Sequence, residues 1–120
     1  MNSYKELIVY QKAVELSVYI YRITEKFPKN ELYGLTSQIR RCAISIPSNI
    51  AEGQRRGHRA EYIQFLRVAF GSGAELETQL LIASKVGYLN KRDSDILSEK
   101  LDEIMKMLNK LISVLIKPKY

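Results

Sequence analysis

Apolar residues recur along this chain at alternating steps of three and four, and that rhythm decides what it can fold into. Val9, Ala13, Leu16, Ile20, Ile23 and Phe27 keep it in a first segment. Tyr62, Leu66, Ala69, Gly73, Leu76, Leu80, Ala83 and Gly87 keep it in a third. Leu97, Leu101, Ile104, Leu108, Leu111 and Leu115 keep it in a fourth. Such steps stack side chains on one helical face, whereas a half-buried strand alternates every second residue. A second segment, with Leu35, Ile39, Cys42, Ile46 and Ile50, follows the same rule but contains Pro47. A proline inside a helix removes the amide that would bond the Ala43 carbonyl, and its ring crowds the turn before it. One helix kinked near Ser45–Pro47 is expected, with two shorter helices as the alternative.

The segments are separated by short breaks: Pro28-Lys29-Asn30, Gly53 to His58, and Gly87 to Arg92. Brief connections force neighbouring helices antiparallel, so the expectation is an all-α, up-down-up-down four-helix bundle forming a single domain over residues 1–120. Gly53 and Gly57 suit the left-handed residue that follows a helix, and Gly87 suits it too. The fourth segment is acidic in its first half and carries Lys106, Lys110 and Lys117 later, an order that complements the helix macrodipole. In the third, Gly71-Ser72-Gly73 falls mid-helix, where each glycine costs roughly 0.5–1 kcal/mol relative to alanine. That cost is either a tolerated weakness or the sign of an unusually close neighbouring backbone, within the bundle or across a subunit contact.

Charge narrows the partners. The chain of 120 residues has a formal net charge of +6. Six of its arginines, Arg40, Arg41, Arg55, Arg56, Arg59 and Arg67, lie between positions 40 and 67, opposed there only by Glu52 and Glu61. Arginine presents forked donors to phosphate, and a turn between helices displays several at once. The Arg55, Arg56, His58, Arg59 cluster is therefore the candidate nucleic-acid contact, with Arg40 and Arg41 as extensions. The competing reading is a solvated loop whose charge serves solubility. Tyr10, Tyr19, Tyr21 and Tyr62 offer stacking surfaces, but on helices with apolar faces tyrosine usually buries its ring.

Catalytic chemistry finds little support. His58 is the only histidine, and Cys42, the only cysteine, reads as a core position of the second helix. A lone cysteine forms no internal disulfide and excludes a cysteine-based zinc site. Glu75 and Glu77 point to different helix faces, and one histidine cannot supply the paired Glu-x-x-His ligands of a di-iron bundle. Gly71-Ser72-Gly73 lacks the lysine of a phosphate-binding loop. Neither catalytic, cofactor nor metal residues are expected. Gln38, Arg41, Ser45, Asn49 and Glu52 form a second stripe on the second helix, either a solvated flank or a polar network or subunit contact. The N-terminus lacks the apolar stretch of a signal peptide, and no stretch approaches the ~20 apolar residues of a membrane span. A cytoplasmic location is expected.

The run Glu31-Leu32-Tyr33-Gly34-Leu35-Thr36-Ser37-Gln38-Ile39-Arg40-Arg41, leading into Ser45-Ile46-Pro47-Ser48-Asn49-Ile50-Ala51-Glu52-Gly53, closely resembles the bacterial 23S rRNA intervening-sequence protein family. Tyr10-Gln11-Lys12-Ala13, Phe27-Pro28, Glu61 to Leu66 and Ala69 to Leu80 extend the resemblance over nearly the whole chain. Tyr10 stands where tryptophan is commoner in the family, and Gly73 where leucine is. The resemblance implies a four-helix bundle that assembles into a ring, a homopentamer. Similar proteins are accessory factors of diversity-generating retroelements, with a basic ring surface that engages nucleic acid and a reverse transcriptase. The expectation is thus a non-enzymatic, oligomeric accessory protein that binds RNA or DNA or a nucleic-acid enzyme; a protein-interaction bundle with no nucleic-acid role is the alternative.

Overall fold

The computed structural model describes residues 3–118. These form four long helices: α1 (Ile8–Thr24), α2 (Leu35–Arg56), α3 (Arg59–Lys85) and α4 (Lys91–Ile116). There is no strand among the described residues. Short 3-10 turns, Tyr4–Glu6 and Lys29–Glu31, precede α1 and α2. Each helix packs closely on two others: α1 and α3 both pack on α2 and α4, whereas the Cα atoms of α1 and α3, and of α2 and α4, stay more than 8 Å apart among the described residues. The long dimension is 52 Å against 22 and 20 Å across.

The predicted apolar faces meet in one cluster. Leu16 and Ile20 of α1, Ile39, Ile46 and Ile50 of α2, Leu66 and Leu76 of α3, and Leu97, Leu101, Ile104 and Leu108 of α4 are all buried. Burying a large aliphatic side chain is worth about 1.5–3 kcal/mol, so this cluster supplies the main favourable term. Leu35 and Tyr62 reach only the rim of the cluster and Gly87 is exposed, and the periodicity shifts in register at one place. Near the end of α4 Ile112 is buried, while Leu111 and Leu115 only pack against the cluster's rim.

Helix ends follow recognisable chemistry. Gly57 terminates α2 in the left-handed region, with φ of 79°. After α3, Gly87 does the same with φ of 90°. There the Tyr88 amide donates to Ala83 and the Gly87 amide to Ser84, the paired bonds of a Schellman motif. Asn90 caps α4 by accepting from the Asp93 amide at 2.7 Å. In contrast to the expected break from Gly53 to His58, α2 continues through Gly53 to Arg56, leaving only Gly57 and His58 between the helices.

Gly53 is buried inside α2 because α3 passes directly over it. A Cβ there would stand 2.7 Å from the Phe65 Cβ and 3.2 Å from the Tyr62 ring. Pro47 also lies within α2, and the helix is unbroken across it, as the one-helix expectation required. Beside it the Asn49 side-chain amide donates to the Ser45 carbonyl at 2.7 Å and to Ser45 Oγ at 2.9 Å, and Ser45 Oγ is 2.8 Å from Ser72 Oγ on α3. The polar stripe therefore divides: Ser45 and Asn49 form an interhelical network, while Gln38, Arg41 and Glu52 are exposed.

The two mid-helix glycines of α3 also part company. At Gly73 the space a Cβ would take is filled by the Met105 thioether of α4, a side chain rather than a backbone. At Gly71 nothing lies within 4 Å, because it faces outward. Opposite responses to alanine follow. Gly53→Ala should lower stability by about 2 kcal/mol through overpacking against a neighbouring Cβ that has no rotamer to retreat into. Gly71→Ala should raise it by about 0.5–1 kcal/mol through helix propensity. Urea unfolding of both variants at one protein concentration checks the pair, and equal responses would contradict the close approach at Gly53.

Candidate nucleic-acid interface

The fold places the five nominated arginines in two different situations. Arg40 turns toward α1: its Nε donates to Thr24 Oγ1 at 2.9 Å, its Nη2 to the Tyr21 carbonyl at 3.3 Å, and its guanidinium lies 4.5 Å from the Tyr21 ring centroid. Arg56, the last residue of α2, bonds the Glu52 carboxylate at 2.8 Å and the Glu61 carboxylate at 3.2 Å. It also sits 4.9 Å over the Phe65 ring, so it ties the last turn of α2 to the first turns of α3. Its hydrogen bond to Glu52, above all, raises its already high pKa.

Arg59 opens α3 and reaches across to the end of α4. Its Nε donates to the Leu115 carbonyl at 2.5 Å and its Nη2 to the Lys117 carbonyl at 2.6 Å. The last carbonyls of a helix lack intrahelical donors and carry partial negative charge, so a cation there satisfies both needs. The sequence suggests that the lysines of α4 fill this role; the geometry gives it to an arginine from another helix. Arg40 acts similarly at the end of α1, through the Tyr21 carbonyl. Nothing in the spacing along one helix reveals these cross-helix caps.

Arg41 and Arg55 differ. Both are exposed, and neither makes a hydrogen bond or ion pair among the described residues. They lie fourteen positions apart on α2, about 21 Å at 1.5 Å per residue and nearly four full turns, which returns them to the same side. Ile44 and Ser48, exposed between them, complete that outer face. Arg67, on the outer side of α3, is likewise exposed and unpaired among the described residues.

The remaining candidates do not assemble a reaction centre. Cys42 is buried midway along α2, where desolvation pushes its thiol pKa up. His58 is exposed at the start of α3, beyond the far end of α2 from that thiol. Glu75 and Glu77 are both exposed on α3. No group of three or more His, Cys, Asp or Glu side chains gathers among the described residues in a way that could hold a metal ion. At the α2–α3 turn Gly53, Gly57, His58, Arg59, Tyr62 and Leu115 line an open groove of about 290 Å³, which brings no nucleophile to a base. No helix among the described residues is long and apolar enough to cross a membrane.

The opposite end of the molecule is built around Glu31. Its Oε1 accepts from the Leu35 amide at 3.1 Å, covering the first turn of α2, and its Oε2 accepts from Tyr88 Oη at 2.8 Å. The Tyr88 ring packs against Phe27 with centroids 5.4 Å apart. One carboxylate thus joins the α1–α2 turn to the α3–α4 turn.

A family model described as 23S rRNA-intervening sequence protein matches residues 5–110. The chain belongs to that family. A crystal structure of a protein of unknown function from the S23 ribosomal protein family of Bacteroides thetaiotaomicron is similar in fold, with a TM-score of 0.82 and 25% identity. The similarity covers 88% of this chain and 96% of that one. No curated protein matches the sequence. The intervening-sequence match takes in all five nominated arginines and Glu31, while the Leu115 and Lys117 carbonyls that Arg59 engages lie beyond it.

The Glu31 anchor has a pH signature. The Leu35 amide, and secondarily the Tyr88 hydroxyl, stabilise its ionised form and lower its pKa. A carboxylate depressed in the folded state contributes stability above its unfolded pKa and loses it as pH falls through the folded value. Glu31→Gln should therefore narrow the stability difference between neutral pH and pH values below about 4.3, the ordinary glutamate value. Urea midpoints at several pH values check this; an unchanged acid limb would show that the anchor contributes nothing.

Proposed function

We propose that this intervening-sequence family member is a non-enzymatic accessory protein that binds nucleic acid as a ring-shaped homo-oligomer in the cytoplasm. In this reading its single domain is an antiparallel up-down-up-down four-helix bundle, and Arg41 and Arg55 are the principal phosphate contacts. The observation that carries the reading is their exposure on one side of α2 without a carboxylate partner, in a chain whose net charge is +6. Free guanidinium groups are the ones able to exchange water and counterions for phosphate. Arg40, Arg56 and Arg59, engaged within the chain, serve the binding surface chiefly by fixing the helices beneath it. A reverse transcriptase or another nucleic-acid enzyme is a fitting protein partner for such an accessory, and the family resemblance favours a pentamer.

The antiparallel arrangement draws support from contacts that bring the α1–α2 turn to the α3–α4 turn and the start of α3 to the end of α4. Assembly draws support from two exposed apolar faces. Val14 and Val18 project from α1, while Val68, Ile82 and Val86 project from one side of α3, with the open Gly71 one turn beyond Val68. Because α1 and α3 sit diagonally across the bundle, each packed on α2 and α4, these faces belong to helices at opposite corners. Joining one face to the other in a neighbouring copy is a heterologous contact, the kind that closes into rings.

Sedimentation equilibrium should give a mass several times the 13.9 kDa of one chain. A clean monomer at micromolar concentration would sink the ring. For binding, anisotropy titrations against RNA and DNA at several salt concentrations should show steep salt dependence and little sequence preference. Arg41→Ala with Arg55→Ala should weaken binding broadly and reduce the salt slope by about two units per subunit engaged. Undiminished, equally salt-steep binding by the double variant would remove these two residues, and no binding by the wild type at low salt would favour the protein-interaction reading, for which the apolar faces of α1 and α3 already speak.

A further inference from the structure

At the start of α2, away from the arginine turn, Tyr33 is 95% exposed and its neighbour Leu32 is 46% exposed. A tyrosine ring standing almost wholly in water is unusual, since the side chain normally buries its ring and wets only its hydroxyl. The segment that carries it is nonetheless well tied down. Leu32 donates to the Lys29 carbonyl at 3.2 Å and Gly34 to the Glu31 carbonyl at 2.9 Å. Glu31 in turn is held by the Leu35 amide and the Tyr88 hydroxyl. The backbone on both sides of Tyr33 is thus fixed by hydrogen bonds, and the ring projects from an ordered turn.

Cations surround this turn in sequence and none of them is neutralised. Lys26 and Lys29 are exposed and make no ion pair among the described residues. Arg41 follows on α2, six residues beyond its first residue and so about 9 Å along the axis. An exposed aromatic ring on a turn whose flanking sequence carries unpaired cations is a combination suited to single-stranded nucleic acid: a base stacks on the ring while the cations follow the phosphates. A duplex keeps its bases stacked internally, so only an unpaired base can use the ring. Two apolar side chains are too few for a membrane-inserting patch, and a protein contact here would have to desolvate the flanking lysines.

On the basis of the nucleic-acid reading above, we propose that Tyr33 is a stacking platform for an unpaired base, with Lys29 and Arg41 holding the adjoining phosphates. The surface of α2 then begins with a stacking site and continues with phosphate contacts at Arg41 and Arg55. It accepts a single strand, or the junction between a strand and a duplex, in preference to a duplex alone.

The test compares a single-stranded RNA and the corresponding duplex by fluorescence anisotropy for the wild type, Tyr33→Ala, Tyr33→Phe and the Arg41→Ala/Arg55→Ala double variant. Stacking requires Tyr33→Ala to weaken single-strand binding by about tenfold, with duplex binding unchanged and Tyr33→Phe close to wild type. Tyr33→Trp gives the chain its only tryptophan, and its emission should be quenched by the single strand and not by the duplex. Unchanged single-strand affinity of Tyr33→Ala, or quenching absent from Tyr33→Trp, overturns the stacking site, and a salt slope still lowered in the double variant would then leave the arginine reading intact. A Tyr33→Ala variant whose sedimentation mass changes while RNA affinity does not would make the ring a subunit contact and also overturn the proposal. Binding by Tyr33 variants to anionic vesicles in place of RNA would do so as well. Absence of any wild-type binding to either RNA at low salt overturns both readings together.

Discussion

At Gly53 the absence of a side chain allows the Cβ of Phe65 and the ring of Tyr62 to press onto the backbone of α2. Much else is arranged around that approach. With α2 and α3 drawn together, two residues suffice to connect them, and Gly57 makes the reversal in the left-handed region open to glycine. Farther along the same interface Ser45, Asn49 and Ser72 meet within hydrogen-bonding distance. Hydroxyls and amides at a half-buried interface are costly unless paired, so this network fixes the register of the two helices as well as their separation. Any larger residue at Gly53 would push α3 outward and uncouple those partners.

The arginines show how one residue type serves two purposes in a small protein. A helix ending at the surface leaves carbonyls without donors, and a guanidinium satisfies them while opposing the macrodipole. Arg40 at α1 and Arg59 at α4 act in that way, and each also binds two helices to each other. Arg56 is saturated by two carboxylates and an aromatic ring. Exposed pairs of this kind contribute little energy singly, but they fix geometry. What remains on α2 without a hydrogen-bond or ion-pair partner among the described residues is Arg41 and Arg55. Net charge therefore overstates the cationic surface open to a ligand, and partner contacts, rather than residue counts, delimit it.

The core is legible in the sequence because burial imposes a period. Leu16, Ile20, Ile39, Ile46, Leu66, Leu76 and Ile104 sit where steps of three and four place them, and all are buried. The glycines are harder to read. Gly57 and Gly87 do take the left-handed conformation, but Gly53 resembles them in sequence and is helical, because its reason for being glycine lies on another helix. The same limit applies to the candidate site. Clustering of arginines between positions 40 and 67 is visible in one dimension, whereas the carbonyls that Arg40 and Arg59 satisfy are nineteen or more residues away. Tyr33 lies inside the run that carries the family resemblance, yet its exposure follows from the turn that Glu31 and Tyr88 hold, and no periodicity reports on that.

The proposed ring and the proposed binding surface constrain each other. If α1 of one copy meets α3 of the next, the flanks of both helices are covered, and only α2 and α4 are left to face the axis or the exterior. Those two helices differ in charge. The outer side of α2 carries Arg41 and Arg55 against Glu52, which Arg56 already engages. On α4, Asp95 and Asp102 are paired with Lys91 and Lys106, and Glu99 is exposed beside them. A closed ring of such subunits thus has one cationic wall and one of mixed charge, whatever the number of copies. Repetition then matters more than the strength of any one contact, because each additional subunit that engages the same strand acts at high effective concentration. Weak contacts from two arginines and one tyrosine per copy become sufficient only in the assembled form, so in this reading oligomerisation is what makes so sparse a cationic surface a binding surface.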